Sequence, residues 1–462
     1  MKSEPQLPPG NSSTLRSLSE SFSFHSSPES FITSRIISFQ KENSGLIDSR
    51  SIIRAKVLNR DVAIISTHAQ IQQVLRDNAA NYEASPAYDD LMAPFFPSPN
   101  ILLSDGKQHQ VMLHEWEERM VSFNQKLAPL VRHQVVQHFS EPSSSAIDLY
   151  ESMKRLSWKI IFKAVLGMEP HDKDFAKMES HQEDLLRGQF SLFPVTINAG
   201  FWHSSRKKGK AAKLKLQKQI LGRFQNERSA CPFATANDGA LEDVANHAVL
   251  MTSSLAVKAL ASLLAATMLN LYLYKRADGG TLAQMLANQD DSQARLLRLK
   301  SILLESERLS PPIIGIMRRS MQDNIVASRG VQADVIIPKG WDCWLYFVGS
   351  GRDPEAFGPT WDTFDPDRYL ADGIPEPLAF GSGPKTCLGL GTVREIALNV
   401  ADACIASDIQ LHGHVSAPGV RGWLGWERND AVRPEDWAQD MKQLPTQRPS
   451  EPIMVRVVHG TQ

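Results

Sequence analysis

The sequence predicts a mainly α-helical protein with a small β-rich region. Between residues 125 and 310 apolar positions recur at spacings of three and four, with Gly and Pro sparse and Glu, Lys, Gln and Arg on the outer faces. β-Branched clusters punctuated by turn residues are confined to residues 54–66 and 325–348. With 462 residues, 42% hydrophobic and 22% charged, the chain is too apolar for disorder and long enough for one large core.

Residues 1–50 are rich in Ser and Pro, with short apolar clusters at Phe31-Ile32 and Ile36-Ile37. They read as a partly ordered N-terminal arm before a single domain spanning 51–462. No apolar run follows a basic start, so neither a signal peptide nor an N-terminal membrane span is expected. Residues Arg54 to Ser66 predict a hairpin around Asn59-Arg60-Asp61, followed by a helix over His68 to Arg76. The most apolar stretch, His247 to Tyr274, carries one charge, Lys258. Its uncharged part is shorter than the roughly 20 residues a span requires, so a helix buried through the core is expected. Strands follow at Ile325 to Pro338 and Trp341 to Val348, then Pro-rich connections to about residue 385. No internal repeat is found.

Fifty basic and 51 acidic residues give a net charge of -1, which excludes the chain-wide positive field of non-specific nucleic-acid binding. The four cysteines form no Cys-x-x-Cys pair and no zinc-finger spacing, so a reducing compartment is expected. Arg206, Lys207, Lys208, Lys210, Lys213, Lys215 and Lys218 crowd one window beside aromatic residues. That window reads equally as a solvated helix face and as a surface for an anionic membrane.

The residues that carry chemistry lie in LAFGSGPKTCLGLG, 378–391. Glycines on both sides of Cys387 let the backbone curl round the sulfur at a loop-to-helix junction, where unpaired N–H groups stabilise a thiolate. Phe380, Gly383, Cys387 and Gly389 fill every fixed position of Phe-x-x-Gly-x-x-x-Cys-x-Gly, and this segment resembles the haem-binding loop of the cytochrome P450 family. Three further segments resemble that family in order: Glu305-x-x-Arg308 before Pro311-Pro312, residues 338–359 with Arg352-Asp353-Pro354, and Phe364-Asp365-Pro366-Asp367-Arg368. Pro8-Pro9-Gly10 is similar to the hinge after the family's membrane anchor. The resemblance spans roughly residues 50–440.

The resemblance implies a cytochrome P450 fold binding haem b, with Cys387 as the metal ligand. It implies a structural network of Glu305, Arg308 and Arg368. Lys385 stands where the family usually has Arg and would pair with a haem propionate as a point charge. Arg318 or Arg319, His109 and His114 are the other candidates for propionate contacts. The central helix departs from the family's acid–alcohol pair: no carboxylate lies between Asp243 and Asp278. Lys258 falls in its place, with Thr252, Ser253 or Ser254 as candidate hydroxyls, so these four are the candidate catalytic residues.

By resemblance the function is that of an oxidoreductase, a monooxygenase oxidising an apolar small molecule of secondary metabolism. The missing pair keeps two alternatives open: a haem-thiolate enzyme that does not activate dioxygen, such as an isomerase, dehydratase or peroxide-dependent coupling catalyst, and a haem-binding protein without turnover. The resemblance also implies a monomer, cytoplasmic or peripheral to the endoplasmic reticulum membrane. A separate reductase would dock near Lys385 and Arg394.

Overall fold

The computed structural model describes residues 5–10, 17–42, 52–57, 60–140, 146–190, 198–199, 202–226, 233, 241–327 and 334–413, and the short stretches 415–416, 427–428, 441–442, 446–449 and 452–459. Cys231 lies outside them, as does most of the aromatic flank at 191–201.

Where an arm was expected, α1 (Ser17–Ser26) and α2 (Pro28–Glu42) pack on a sheet. Phe24, Phe31, Ile32 and Ile36 are buried, and the Phe24 ring meets Trp344 edge-on with centroids 5.2 Å apart. These apolar residues sit at helical spacing and cover the β face, so residues 17–42 belong with the domain. The sheet has five strands in the order Ile53–Val57, Arg60–Ile65, Asp342–Tyr346, Gly315–Ser320 and Tyr82–Glu83. The expected hairpin forms its edge, with Val57 opposite Arg60. Only Arg60–Ile65 and Asp342–Tyr346 run parallel. The predicted helix after it is shorter: α3 (His68–Gln72) passes into a π-helical turn at Gln73–Asp77.

The helical part begins with α4 (Gly106–Asn124), α5 (Leu127–Phe139) and α6 (Leu149–Leu166). Asp148 caps α6 by accepting from the N–H groups of Tyr150 and Glu151, and Gly167 ends it at φ 66°. Then come α7 (Phe175–Gln189) and α8 (Ser205–Asn226), packed along each other. Gly188 and Gly209 make that approach possible: a Cβ on either would lie 3.0 Å from the other's Cα.

The apolar segment forms two helices, α9 (Leu241–Met251) and α10 (Ser254–Leu273). α10 is buried against α6, α7, α12 (Ser292–Leu309) and α15 (Leu390–Ala406). It is long and apolar enough to cross a membrane, but it is the core helix of this fold. Short helices α11 (Leu282–Ala287), α13 (Phe347–Gly351) and α14 (Pro354–Phe357) complete the set. The break has a local cause. Ser253 caps α10 with its Oγ on the Ala256 N–H, and its own N–H turns back to Leu250 O. The Val249 carbonyl thereby loses its helical donor.

Candidate functional site

The loop before α15 is shaped by glycine. Gly383 has φ 71°, and a Cβ there would lie 2.2 Å from Leu75 O, so no other residue fits without moving backbone. The chain then folds back: Cys387 N–H donates to Phe380 O at 2.9 Å and Leu390 N–H to Cys387 O at 3.1 Å. The Gly389 and Leu390 N–H groups donate to the sulfur, at the N-terminus of α15, where the helix dipole also favours negative charge. A Cβ on Gly389 would come within 3.6 Å of Sγ.

Burial pushes the Cys387 thiol up, against those two hydrogen bonds. Yet Cys387 is exposed, while Cys343 and Cys404 are buried. Protein surrounds the Cys387 side chain, yet it still touches open space. The part-exposed apolar residues Phe380, Leu388 and Val393 belong to the same segment. On α10, Leu255, Ala256 and Ala259 are part-exposed in a helix otherwise buried; they share one face, within about 100° of arc.

Cations gather at one edge. Arg318 is 6% exposed; its Nη1 donates to Met317 O at 2.8 Å, and its side chain also hydrogen-bonds Tyr88. Burial lowers its pKa, with Tyr88 and Asp105 opposing. Lys385 Nζ lies 2.8 Å from Asp105 Oδ1 and donates to Ser104 O. Burial would raise Asp105, but Lys385 and the Ser85 and Ala84 N–H groups hold it below its ordinary value. His109 is buried nearby, its pKa lowered to about 4 by burial and then by Lys385.

The sequence left Arg318 and Arg319 as alternatives. Successive strand residues point to opposite faces, and Arg319 pairs instead with Asp342, Nε to Oδ1 2.8 Å. His114 is displaced as well: its side chain is 78% exposed and 3.7 Å from Glu118 on the outer face of α4, so it does not join the cation cluster. Asp105 was not singled out as a partner, although it begins the segment in which His109 was.

The network of Glu305, Arg308 and Arg368 is assembled. Glu305 accepts from Arg308 at 2.7 and 2.6 Å, from Arg368 Nε at 3.0 and 3.1 Å, and from the Asp365 N–H at 3.0 Å. All three side chains are buried.

The four residues read as catalytic are all engaged in hydrogen bonds within the protein. Thr252 Oγ1 donates to Ala248 O at 2.7 Å, Ser253 is the α10 cap, and Ser254 Oγ donates to Glu183 Oε1 at 2.7 Å. Lys258 Nζ donates to Glu183 Oε2 at 2.8 Å. Glu183 lies on α7, seventy-five positions earlier, and no local pattern marks it. The proposed docking cations are also engaged: Lys385 holds Asp105, and Arg394 pairs with Glu307 and Glu376.

The residues present fit haem b. An open thiol with two N–H groups on its sulfur suits an axial thiolate. Apolar walls suit a macrocycle, and a buried guanidinium short of anions beside Lys385 and His109 suits its carboxylates.

A family model described as Cytochrome P450 matches residues 282–393. Over 105 residues the chain is 32% identical to cytochrome P450 714C2 of Oryza sativa subsp. japonica, a match that covers 21% of this chain and 19% of that protein. It is 23% identical over 394 residues to 3-epi-6-deoxocathasterone 23-monooxygenase CYP90D1 of Arabidopsis thaliana, covering 75% of each. Among solved structures, retinoic acid-bound cyanobacterial CYP120A1 superposes with a TM-score of 0.71 at 18% identity, covering 99% of this chain and 100% of that one. CYP152N1 with myristic acid gives 0.69 at 16%, covering 98% and 99%. The glycine-framed cysteine, the buried Glu305 network, the matched family model and the shared architecture converge: the chain has the cytochrome P450 fold, and its residues 282–393 match that family's model.

Proposed function

We propose that the protein is a haem-thiolate monooxygenase that oxidises an apolar small molecule of secondary metabolism, with Cys387 as the axial ligand. The observation that carries this is the exposed Cys387 thiol in its glycine-framed loop, with two backbone N–H groups on its sulfur. Bound haem supplies dioxygen chemistry, to which a thiolate ligand contributes electron density. The chain's own part is to hold charge and exclude water. Gly389 and Leu390 would stabilise the thiolate, Arg318, Lys385 and His109 would hold the haem carboxylates, and Leu255, Ala256 and Ala259 would keep the reacting space dry. The reduced carbon monoxide complex is expected to absorb near ~450 nm, and its retention in Cys387→Ala would overturn the assignment.

The apolar α10 face supports a second reading. With Thr252, Ser253, Ser254 and Lys258 engaged elsewhere, the central helix presents no titratable group to that space. This favours chemistry that needs no proton from it: isomerisation, dehydration or peroxide-dependent coupling. Turnover with reductase and oxygen, with peroxide alone, and with neither separates the two.

Electrons for the first reading come from a separate donor. As Lys385 and Arg394 are ion-paired, its docking does not rest on them as free cations. The outer face of α8 supports contact with an anionic membrane. Lys207, Lys208, Lys210, Lys215 and Lys218 are exposed there, Leu214 stands 63% exposed among them, and α8 contains no acidic residue. Such a face is attracted to anionic headgroups by about 1 kcal/mol per cation.

A further inference from the structure

We propose that Glu183 determines substrate charge specificity, by holding the Lys258 ammonium off the open face of α10 and so keeping the substrate space neutral. The inference rests on the haem-thiolate reading of the site and adds to it a residue and a substrate class.

Two adjacent residues of α7 bracket the break in the central helix. Gln182 Nε2 donates to the freed Val249 carbonyl at 3.3 Å and to Thr252 Oγ1 at 3.0 Å. Glu183 takes the other side, accepting from Ser254 and Lys258 with its two oxygens. One strand of helix α7 thus fixes both where α10 starts and which way its only charge points.

That direction matters because Lys258 stands at the edge of the open face. At about 100° per residue it lies about 60° from Leu255 and about 100° from Ala259. A lysine stem is long and flexible, so without an anchor it reaches round toward Leu255. Burial lowers its pKa and Glu183 opposes this; the other charges acting on it, Lys154 of α6 and Arg448, are both cations. Among the described residues Glu183 is the carboxylate that holds it. With the pair formed, Leu255, Ala256 and Ala259 offer only apolar contact, and the ligand space takes neutral molecules. With Glu183 neutralised, the ammonium is free to meet a carboxylate.

The test is optical titration of the haem-loaded full chain with tetradecanoate and with tetradecan-1-ol, for wild type, Glu183→Gln, Lys258→Met and the double variant. Wild type should favour the alcohol. Glu183→Gln should bind tetradecanoate at least tenfold more tightly than wild type, and the double variant should lose that gain. Lys258→Met needs no unpaired ammonium to fold, and should bind both ligands as wild type does. If it loses tetradecanoate affinity tenfold, Lys258 already faces the ligand and the proposal falls; it falls equally if Glu183→Gln shows no gain, or if the double variant keeps one. The carbon monoxide band is recorded first. Its absence from the wild type overturns the haem-thiolate reading together with this inference, whereas an intact band with no gain overturns this inference alone.

Discussion

Replacing Glu305 by Ala removes the carboxylate that two guanidiniums share. Glu305 is 0% exposed, Arg308 1% and Arg368 7%. After the change Arg308 keeps the carbonyls of Gly351, Trp361 and Thr363. Arg368 keeps those of Phe357, Thr360 and Thr363. Carbonyl dipoles solvate the cations, but among the described residues no other carboxylate is paired with either of them. Breaking one buried pair costs about 3–5 kcal/mol; with two cations stranded we expect the upper end, about 5 kcal/mol. That is a large part of the roughly 5–15 kcal/mol by which a domain is stable, and for a chain of this length it lowers the melting temperature by about 5 °C. The network ties α12 to the segment at 357–368, which precedes the Cys387 loop, so haem content should fall too. Circular dichroism melting and the haem-to-protein ratio of purified wild type, Glu305→Ala and Glu305→Gln provide the assay. Glu305→Gln should fall between the others, since it retains an acceptor without the charge. An Ala variant that melts within 2 °C of wild type and carries full haem refutes the reasoning, because a pair so cheaply lost is solvated.

Gly383→Ala should sharply reduce haem retention, since its Cβ would meet the Leu75 carbonyl at 2.2 Å in a left-handed backbone; haem titration of the purified variant checks it. Reversing Lys207, Lys210 and Lys215 to Glu should abolish sedimentation with phosphatidylserine-containing vesicles while leaving binding to phosphatidylcholine vesicles at background, and unchanged sedimentation would remove the α8 face as the contact. His138, with Nε2 2.9 Å from Ser152 Oγ, has a pKa lowered to about 4 by burial and then by Lys159 and Arg155. Between pH 4 and 6.5 the unfolded chain therefore binds a proton the folded one does not, so its contribution to stability is present above 6.5 and is lost as pH falls toward 4. The drop in melting temperature from pH 7 to 4.5 should be smaller in His138→Gln, and an equal drop contradicts this.

What the sequence made legible was what local chemistry decides. The Cys387 loop is written in contiguous glycines, because the backbone has to curl there whatever surrounds it, and Glu305 and Arg308 are one helical turn apart on α12. Residues 17–42 were read as an arm because their Ser content hides four apolar residues that acquire a partner only when the sheet is present. Arg318 and Arg319 could not be told apart by composition, since strand alternation separates them only once register with Asp342–Tyr346 is known. The direction of Lys258 was not legible for a related reason. Lys258 does fall where the family's pattern has its acid–alcohol pair, but a side chain's direction on a core helix is set by the helix packed against it. The carboxylate that turns Lys258 sits on α7, and Glu183 has no motif of its own: its role exists only because Gln182, beside it, holds the break at Thr252 and fixes the start of α10. Specificity here is therefore a property of the α7–α10 contact, and changes at residues 182 and 183 should alter ligand charge preference while leaving the Cys387 loop and its sulfur hydrogen bonds as they are.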